Sequence, residues 1–457
     1  MAGLASAEFA DAMKTYYLSP LNDQVVRAKV LLDRLEKNSE DVEGNFAYIP
    51  VMTGRNPGVG SRKDVAGSGP ALPTAGRGTY DAATFKMAIH YGRGQISGPV
   101  MRASKSSSGA FAKALDVEMK NLMESLPENL NRQITAYGHG RVGTVSANGV
   151  TAATSVEVYS TSHFNAKIGD RVVMGTIASG TLASAASRTI SAIDRDTDVS
   201  AVASTTKHKI TLSGTVAASF TAGTNTLYFG GDGAGTAPAL GDISFAQEMY
   251  GLQSLVDDGA NAADEDTAGV AAEFLDASLS WGSIDRTTAA NVDWRAQVLK
   301  NPDSAGTNRA LTVSLMEQAF LTALVVGGAS EKSIEIYSNA GLWATFGALH
   351  IGDRRYNDYQ ETLEGGWLAL KFNGRPFMFD RDLPRDMIFF LDMSKIFLLT
   401  QSGYELMDDD GSVLSRVSNT DAYEFTLYRD VQLGARNCKS HVRLDDIASI
   451  ANIEANV

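Results

Sequence analysis

The sequence predicts an α+β fold built from several parts, and three observations predict it. An apolar stripe at helical spacing runs through residues 107–135. Short β-type segments separated by turn residues fill 141–240. Helical and strand patterns mix through 241–457. A length of 457 residues is enough for two or three domains. A composition that is 44% hydrophobic and 20% charged is that of a chain with a true core.

Near the N-terminus, Ser19 can cap a helix and Pro20 suits its first turn. Val25, Ala28, Leu32 and Leu35 then recur at steps of three and four, forming one apolar stripe, with Asn38 as the terminator. Residues 1–18 carry only weak patterning.

Residues 54–105 differ from the rest. This 52-residue stretch holds 10 Gly and 4 Pro, and eight basic residues against two acidic ones. Its net charge of +6 leaves −19 on the remainder of a chain whose total is −13. Such a composition cannot build its own core. It does contain a strand, in which Phe85, Met87, Ile89 and Tyr91 alternate with Lys86, Ala88 and His90. The expectation is a long extended arm with a two-stranded tongue. Its basic residues Arg55, Arg62, Lys63, Arg77, Lys86 and Arg93 are candidate contacts with the acidic surface of another copy.

In the long helix the stripe is Phe111, Leu115, Met119, Leu122, Leu126 and Leu130. Pro127 is expected to kink or split it, and Tyr137-Gly-His-Gly140 to end it. The next region offers strands at Arg141–Val145, Arg171–Gly175, Ile190–Ile193, Lys209–Leu212 and Thr226–Phe229, with Gly169-Asp170 as a tight turn. That spacing reads as a small inserted all-β domain. Further on, Ser314-Leu-Met-Glu317 is a capping box ahead of an apolar helix that stops at Gly327. Asn373-Gly374 between Leu368–Phe372 and Phe377–Phe379 writes a hairpin. Asp410-Gly411 marks another turn, and Tyr423, Phe425 and Leu427 share one face of a late strand.

Motifs for chemistry are lacking. His90, His139, His163, His208, His350 and His441 show no metal-ligand spacing. Cys438 is the one cysteine, so no disulfide forms within the chain. Asp408-Asp-Asp-Gly411 lacks the alternation and distal glutamate of a calcium loop. Gly54-Arg-Asn-Pro-Gly58-Val-Gly60-Ser61 lacks the lysine and following helix of a phosphate loop. No G-x-S-x-G elbow occurs. The expectation is no catalytic residue, cofactor or metal. The negative total charge argues against a dedicated nucleic-acid binder but not against a container for DNA. No targeting or membrane segment is legible, so synthesis in the cytosol is expected.

The order of these parts resembles the major capsid proteins of tailed bacteriophages, which share the Hong Kong 97-type fold. Soft sequence texture supports the likeness: Glu128-Asn-Leu-Asn-Arg132 at the helix end, Phe372-Asn-Gly-Arg-Pro-Phe-Met-Phe-Asp-Arg-Asp-Leu-Pro384 with Ile388-Phe-Phe-Leu-Asp-Met-Ser394, and Tyr428-Arg-Asp-Val-Gln-Leu-Gly-Ala-Arg436. The resemblance implies an N-arm over 1–50 and an E-loop over 51–105. The spine helix of the P-domain takes 106–140 and the β insertion 141–240. The A-domain and remaining P-domain strands take 241–457. It implies a structural virion protein that self-assembles through pentamers and hexamers into an icosahedral shell around double-stranded DNA. Portal, a separate scaffolding protein and a decoration protein are the implied partners. Because Met1 stands directly before the arm, a scaffold fused to the chain is not expected. Gly92, Gly94, Gly98 and Pro127 are candidate hinges between ring types. Some members join an E-loop lysine to a neighbour's asparagine; Lys63 matches the donor, and no residue is singled out as its partner. An encapsulin-like compartment shell, a tail-tube or decoration protein, and a hydrolase with a β module remain alternatives.

Overall fold

The structure is a computed structural model of the chain. It describes residues 29–62, 72–100, 108–138, 140–145, 154–159, 166–178, 181–183, 187–194, 207–215, 226–231, 247–259, 280–302, 308–349, 360–362, 368–401, 403–407 and 414–449. Helices and strands mix throughout, as the α+β expectation has it.

The N-terminal helix enters at Val30 and ends at Arg34; the expected positions before residue 29 lie outside the described residues. Asn38 is not its terminator. Leu35 is already extended, and Glu36–Asn38 forms a strand parallel to Ile396–Thr400. Pairing with that fully buried strand overrides the local helical pattern.

A 28-residue helix, Ser108–Thr135, runs without interruption through Pro127, so the expected split does not occur. Its Leu126, Leu130 and Ile134 are buried. It lies against a sheet whose centre is the 14-residue closing strand Ala422–Ala435. On one side that strand pairs over ten positions with a root strand, Ala88–Ser97. On the other it pairs with Ile396–Thr400, Glu405–Leu406 and Ser415–Arg416. The late strand expected around Tyr423 is therefore longer than its sequence pattern. Phe425 and Leu427 are buried, while Tyr423 is half-buried.

A seven-stranded sheet belongs to the C-terminal half, in the order 297–299, 442–444, 388–392, 334–338, 375–379, 368–372, 360–362. Its hairpin turns at Asn373 and Gly374, with φ of 48° and 75°. These are the two positive values of a type I′ turn, which the Asn-Gly pair predicts. The apolar helix is Val313–Leu321, extended by one π-helical turn to Val326. Its cap is Thr312, whose hydroxyl accepts from the Leu315 amide at 3.2 Å, and not Ser314 as the sequence pattern implied. The Asp410-Gly411 turn lies outside the described residues.

A second seven-stranded sheet forms within 141–229, with strand order 141–144, 226–229, 171–178, 187–194, 207–212, 155–159, and 181–183 beside 171–178. All five expected segments are strands; Ser155–Tyr159 and Thr181–Ala183 add two more. This sheet has its own apolar core around Val156, Val172, Ile210 and Leu227. Gly169 makes the expected tight turn with φ of 98°. The sheet meets the long helix through an ion pair between Lys167 and Glu128, and through the Arg132 guanidinium 4.0 Å from the centre of the Phe229 ring.

Candidate self-association surface

The glycine-rich stretch divides in two. The single strand expected over Phe85–Tyr91 is broken at Met87. Its second half is the root strand, held in the chain's own sheet. Its first half belongs to a tongue, in which Phe46–Gly54 pairs with Thr79–Lys86 and Val42–Glu43 adds a short third strand. The break fits the change of partner: Met87 donates its amide to the Asn45 carbonyl, and the Lys86 carbonyl accepts from Gln432 at 2.8 Å.

One face of the tongue is buried. Ala47, Ile49, Val51, Ala83 and Phe85 join the main core. The Phe85 ring meets Trp281 edge-on with centroids 5.6 Å apart. A Cβ on Gly282 would lie 2.8 Å from that ring, and Gly282 has φ of 60°, so glycine suits both the contact and the backbone. The Gly282 carbonyl also accepts from the Thr84 amide at 2.8 Å.

The opposite face is exposed among the described residues and apolar toward the tip, with Thr84 and Lys86 on it nearer the base. Phe46, Tyr48, Pro50 and Met52 alternate with the buried set, and Met52 stands opposite Tyr80. Tyr80 is 75% exposed, Met52 59% and Tyr48 49%. Sequence reading missed this face because it concentrated on the basic residues. The usable signal was the run Phe46–Met52, apolar at both alternations and therefore apolar on both faces of a strand. Contiguous exposed apolar surface of this kind marks interaction sites.

The basic residues separate by position. Arg55, Arg62 and Arg77 are exposed near the tip of the tongue, where Gly58 and Gly76 approach each other too closely for a side chain at either. Lys63 lies outside the described residues. Lys86 is exposed at the tongue's base. Arg93 is on the root strand, ion-paired with Glu424 of the same chain. The structure thus groups three of the six at the tip.

The glycines read as hinges sit where side chains do not fit. Gly92 faces Leu126, Gly94 faces Phe425 and Gly98 faces Asp421, and a Cβ at any of them would fall within 2.9 Å of those side chains. Gly92 and Gly94 are also inside the ten-position ladder. Packing against the long helix and closing strand accounts for their lack of a side chain.

Other titratable groups are buried in structural roles. Burial holds His441 down at about 4, and its Nδ1 accepts from the Asp392 amide. Burial pushes the Cys438 thiol up to about 11, with Arg286 donating to Sγ at 3.4 Å. Asp380 is raised to about 6 by burial and by Asp382; Asn131 donates to both carboxylates at 3.0 and 2.8 Å. Among the described residues, no three His, Cys, Asp or Glu side chains group as a metal site. Among the same residues, no helix is long and apolar enough to cross a membrane.

No protein-family model and no curated protein matches the chain. Solved structures do. A chain of the cyanophage A-1(L) capsid asymmetric unit matches with a TM-score of 0.52 at 12% identity, over 96% of this chain and 99% of that one. A capsid chain of a native GTA particle gives 0.43 at 12% identity, over 98% and 100% of the two chains. The SrpI encapsulin of Synechococcus elongatus PCC 7942 gives 0.42 at 9% identity, over 96% and 95%. A whole-chain match at that level of identity establishes architecture, and the fold of this chain is that of a phage capsid protein.

Proposed function

We propose that the chain is the major subunit of a tailed-phage head, a structural protein that closes with copies of itself into an icosahedral shell around DNA. The observation that carries this reading is the tongue. It projects a two-faced apolar hairpin whose inner face is satisfied by its own chain and whose outer face is not. The whole-length likeness in fold to a capsid chain supports it.

In this reading the parts are those that the sequence resemblance implies: N-arm, E-loop, P-domain with its spine helix, β insertion and A-domain. Copies meet head to tail, and rotation closes them into fivefold and sixfold rings. The tongue lies across a neighbouring copy. Its outer face supplies apolar burial, and Arg55, Arg62, Lys63 and Arg77 set register against a surface that is net acidic. Contacts spread over several neighbours make a stable wall from modest interfaces. Adjustment between ring types falls to Gly92, Gly94 and Gly98 at the root of the tongue and to the helix at Pro127, where an intrahelical hydrogen bond is missing. Portal, a separate scaffold and a decoration protein are the partners of such a shell, made in the host cytoplasm and found in the virion head. No catalytic step is assigned to it.

Negative-stain microscopy of the purified full-length chain tests the reading, with or without co-expressed candidate scaffolds. Icosahedral particles are expected. Deletion of residues 62–78 is expected to leave a folded subunit that forms no closed shells; closed particles of normal size from that deletion would remove the docking role. Particles that enclose a protein cargo and exclude DNA would favour the compartment alternative.

A further inference from the structure

The root strand carries one titratable side chain on its buried face. His90 sits where the long helix, the closing strand and segment 403–407 converge. Its Nδ1 lies 3.1 Å from the Tyr404 hydroxyl. The Asn129 side chain of the long helix lines the same cleft as the ring. A neutral ring with its proton on Nε2 leaves Nδ1 to accept from the tyrosine.

The charged groups around it are cationic. Arg132 approaches from the long helix and Arg429 from the closing strand. Neither is free to leave. Arg132 is bound by Glu248 and stacked on Phe229. Arg429 donates to Thr400 at 3.2 Å and lies 5.4 Å from the centre of the Tyr404 ring. Glu248 is the one carboxylate nearby from segment 247–250, and it is committed to Arg132. On the root strand itself, Arg93 is paired with Glu424. A cleft of about 950 Å³ is lined by His90, Gly92, Leu126, Asn129 and Gln432, which gives water a path toward the ring.

We propose that His90 is an acid-sensitive latch at the root of the tongue: a proton taken up by its ring places a third cation between Arg132 and Arg429 and releases the root strand from the long helix and Tyr404. A protonated Nδ1 can no longer accept from the Tyr404 hydroxyl; the hydroxyl has to turn and accept from the ring, and the new positive charge faces Arg429, its partner in the ladder. Both arginines are anchored, so the parts that yield are segment 403–407 and the strand that carries the tongue. Burial and the two arginines hold the His90 ring neutral down to about 4, against an ordinary value of 6.5. The sign follows. The closed latch is fully stable above pH 6.5 and loses stability as pH falls toward 4, because the released ring binds the proton more tightly. The device belongs to the single chain and does not depend on the shell reading.

Hydrogen exchange with mass spectrometry on the full-length chain tests it, corrected for the intrinsic pH dependence of exchange. Residues 88–97 should open roughly tenfold more for each pH unit between about 6 and 4, the slope of one linked proton. His90→Gln keeps a donor and an acceptor and should flatten that slope. Tyr404→Phe removes the donor to Nδ1 and should move the onset to higher pH. Should His90→Gln not fold, the ¹³C-histidine titration of wild type decides, with a His90 midpoint below 5 expected. An unchanged slope in folded His90→Gln, or a wild-type midpoint near 6.5, overturns the proposal.

Discussion

Gly94 leaves room for the ring of Phe425: a Cβ at Gly94 would lie 2.4 Å from the ring's Cζ. The two residues stand opposite each other in the ladder between root strand and closing strand. Gly94→Ala is therefore expected to destabilise the chain by about 1–3 kcal/mol, the usual cost of overpacking. Gly60→Ala, where the new methyl meets only Pro73 at 3.7 Å, is expected to stay within about 0.5 kcal/mol of wild type. Denaturant titrations of both variants check the contrast.

The outer face of the tongue predicts a separation of folding from assembly. Met52→Asp combined with Tyr80→Asp places charge on exposed side chains that make no core contact. Melting temperature should stay close to wild type, while sedimentation should show loss of large particles. Normal particles from this double variant would show that the face is not an interface.

Arg132 and Glu248 form a buried ion pair that joins the long helix to the segment after the 141–229 sheet, with side chains 6% and 3% exposed. Removing one partner strands the other charge. Arg132→Met is expected to cost about 3–5 kcal/mol. It also removes the cation from the Phe229 ring. Limited proteolysis should then cut around 141–229 before the rest of the chain.

Asp380 predicts a stability change of opposite sign to that of His90. Its carboxyl is raised from 3.8 to about 6, so its contribution is fully present below pH 3.8 and is lost as pH rises through about 6. A shift of about two units corresponds to about 3 kcal/mol across that window. Asp380→Asn cannot titrate, and its unfolding free energy should lack this component of the pH profile. Parallel profiles for variant and wild type between pH 4 and 8 would contradict the assignment.

Much of the fold was legible where the determinants are local. Asn373-Gly374 specifies its turn by backbone conformation alone, and the turn is as expected. The strands of 141–229 are short, evenly spaced and bounded by turn residues, and five of seven were found. The failures share a cause, which is distance along the chain. Glu36–Asn38 is a strand because Ile396–Thr400 offers it a partner some 360 residues later. The root strand separates from the tongue at Met87 because its partner is residues 422–431. Glycines at 92 and 94 also make room for Leu126 and Phe425, a packing reason that no local pattern displays. The basic tip could be read from charge. The apolar outer face could not be assigned as exposed until Trp281 was seen to cover the other side.

The pairing of residues 88–97 with 422–431 also orders events during synthesis. Domains form as the chain emerges, from the N-terminal end. The anchor for the tongue, however, lies far downstream of it and leaves the ribosome later. Until residue 431 has appeared, the root of the hairpin lacks its ten-position partner. A nascent chain therefore carries the hairpin on an unpaired root until that later stretch has been made.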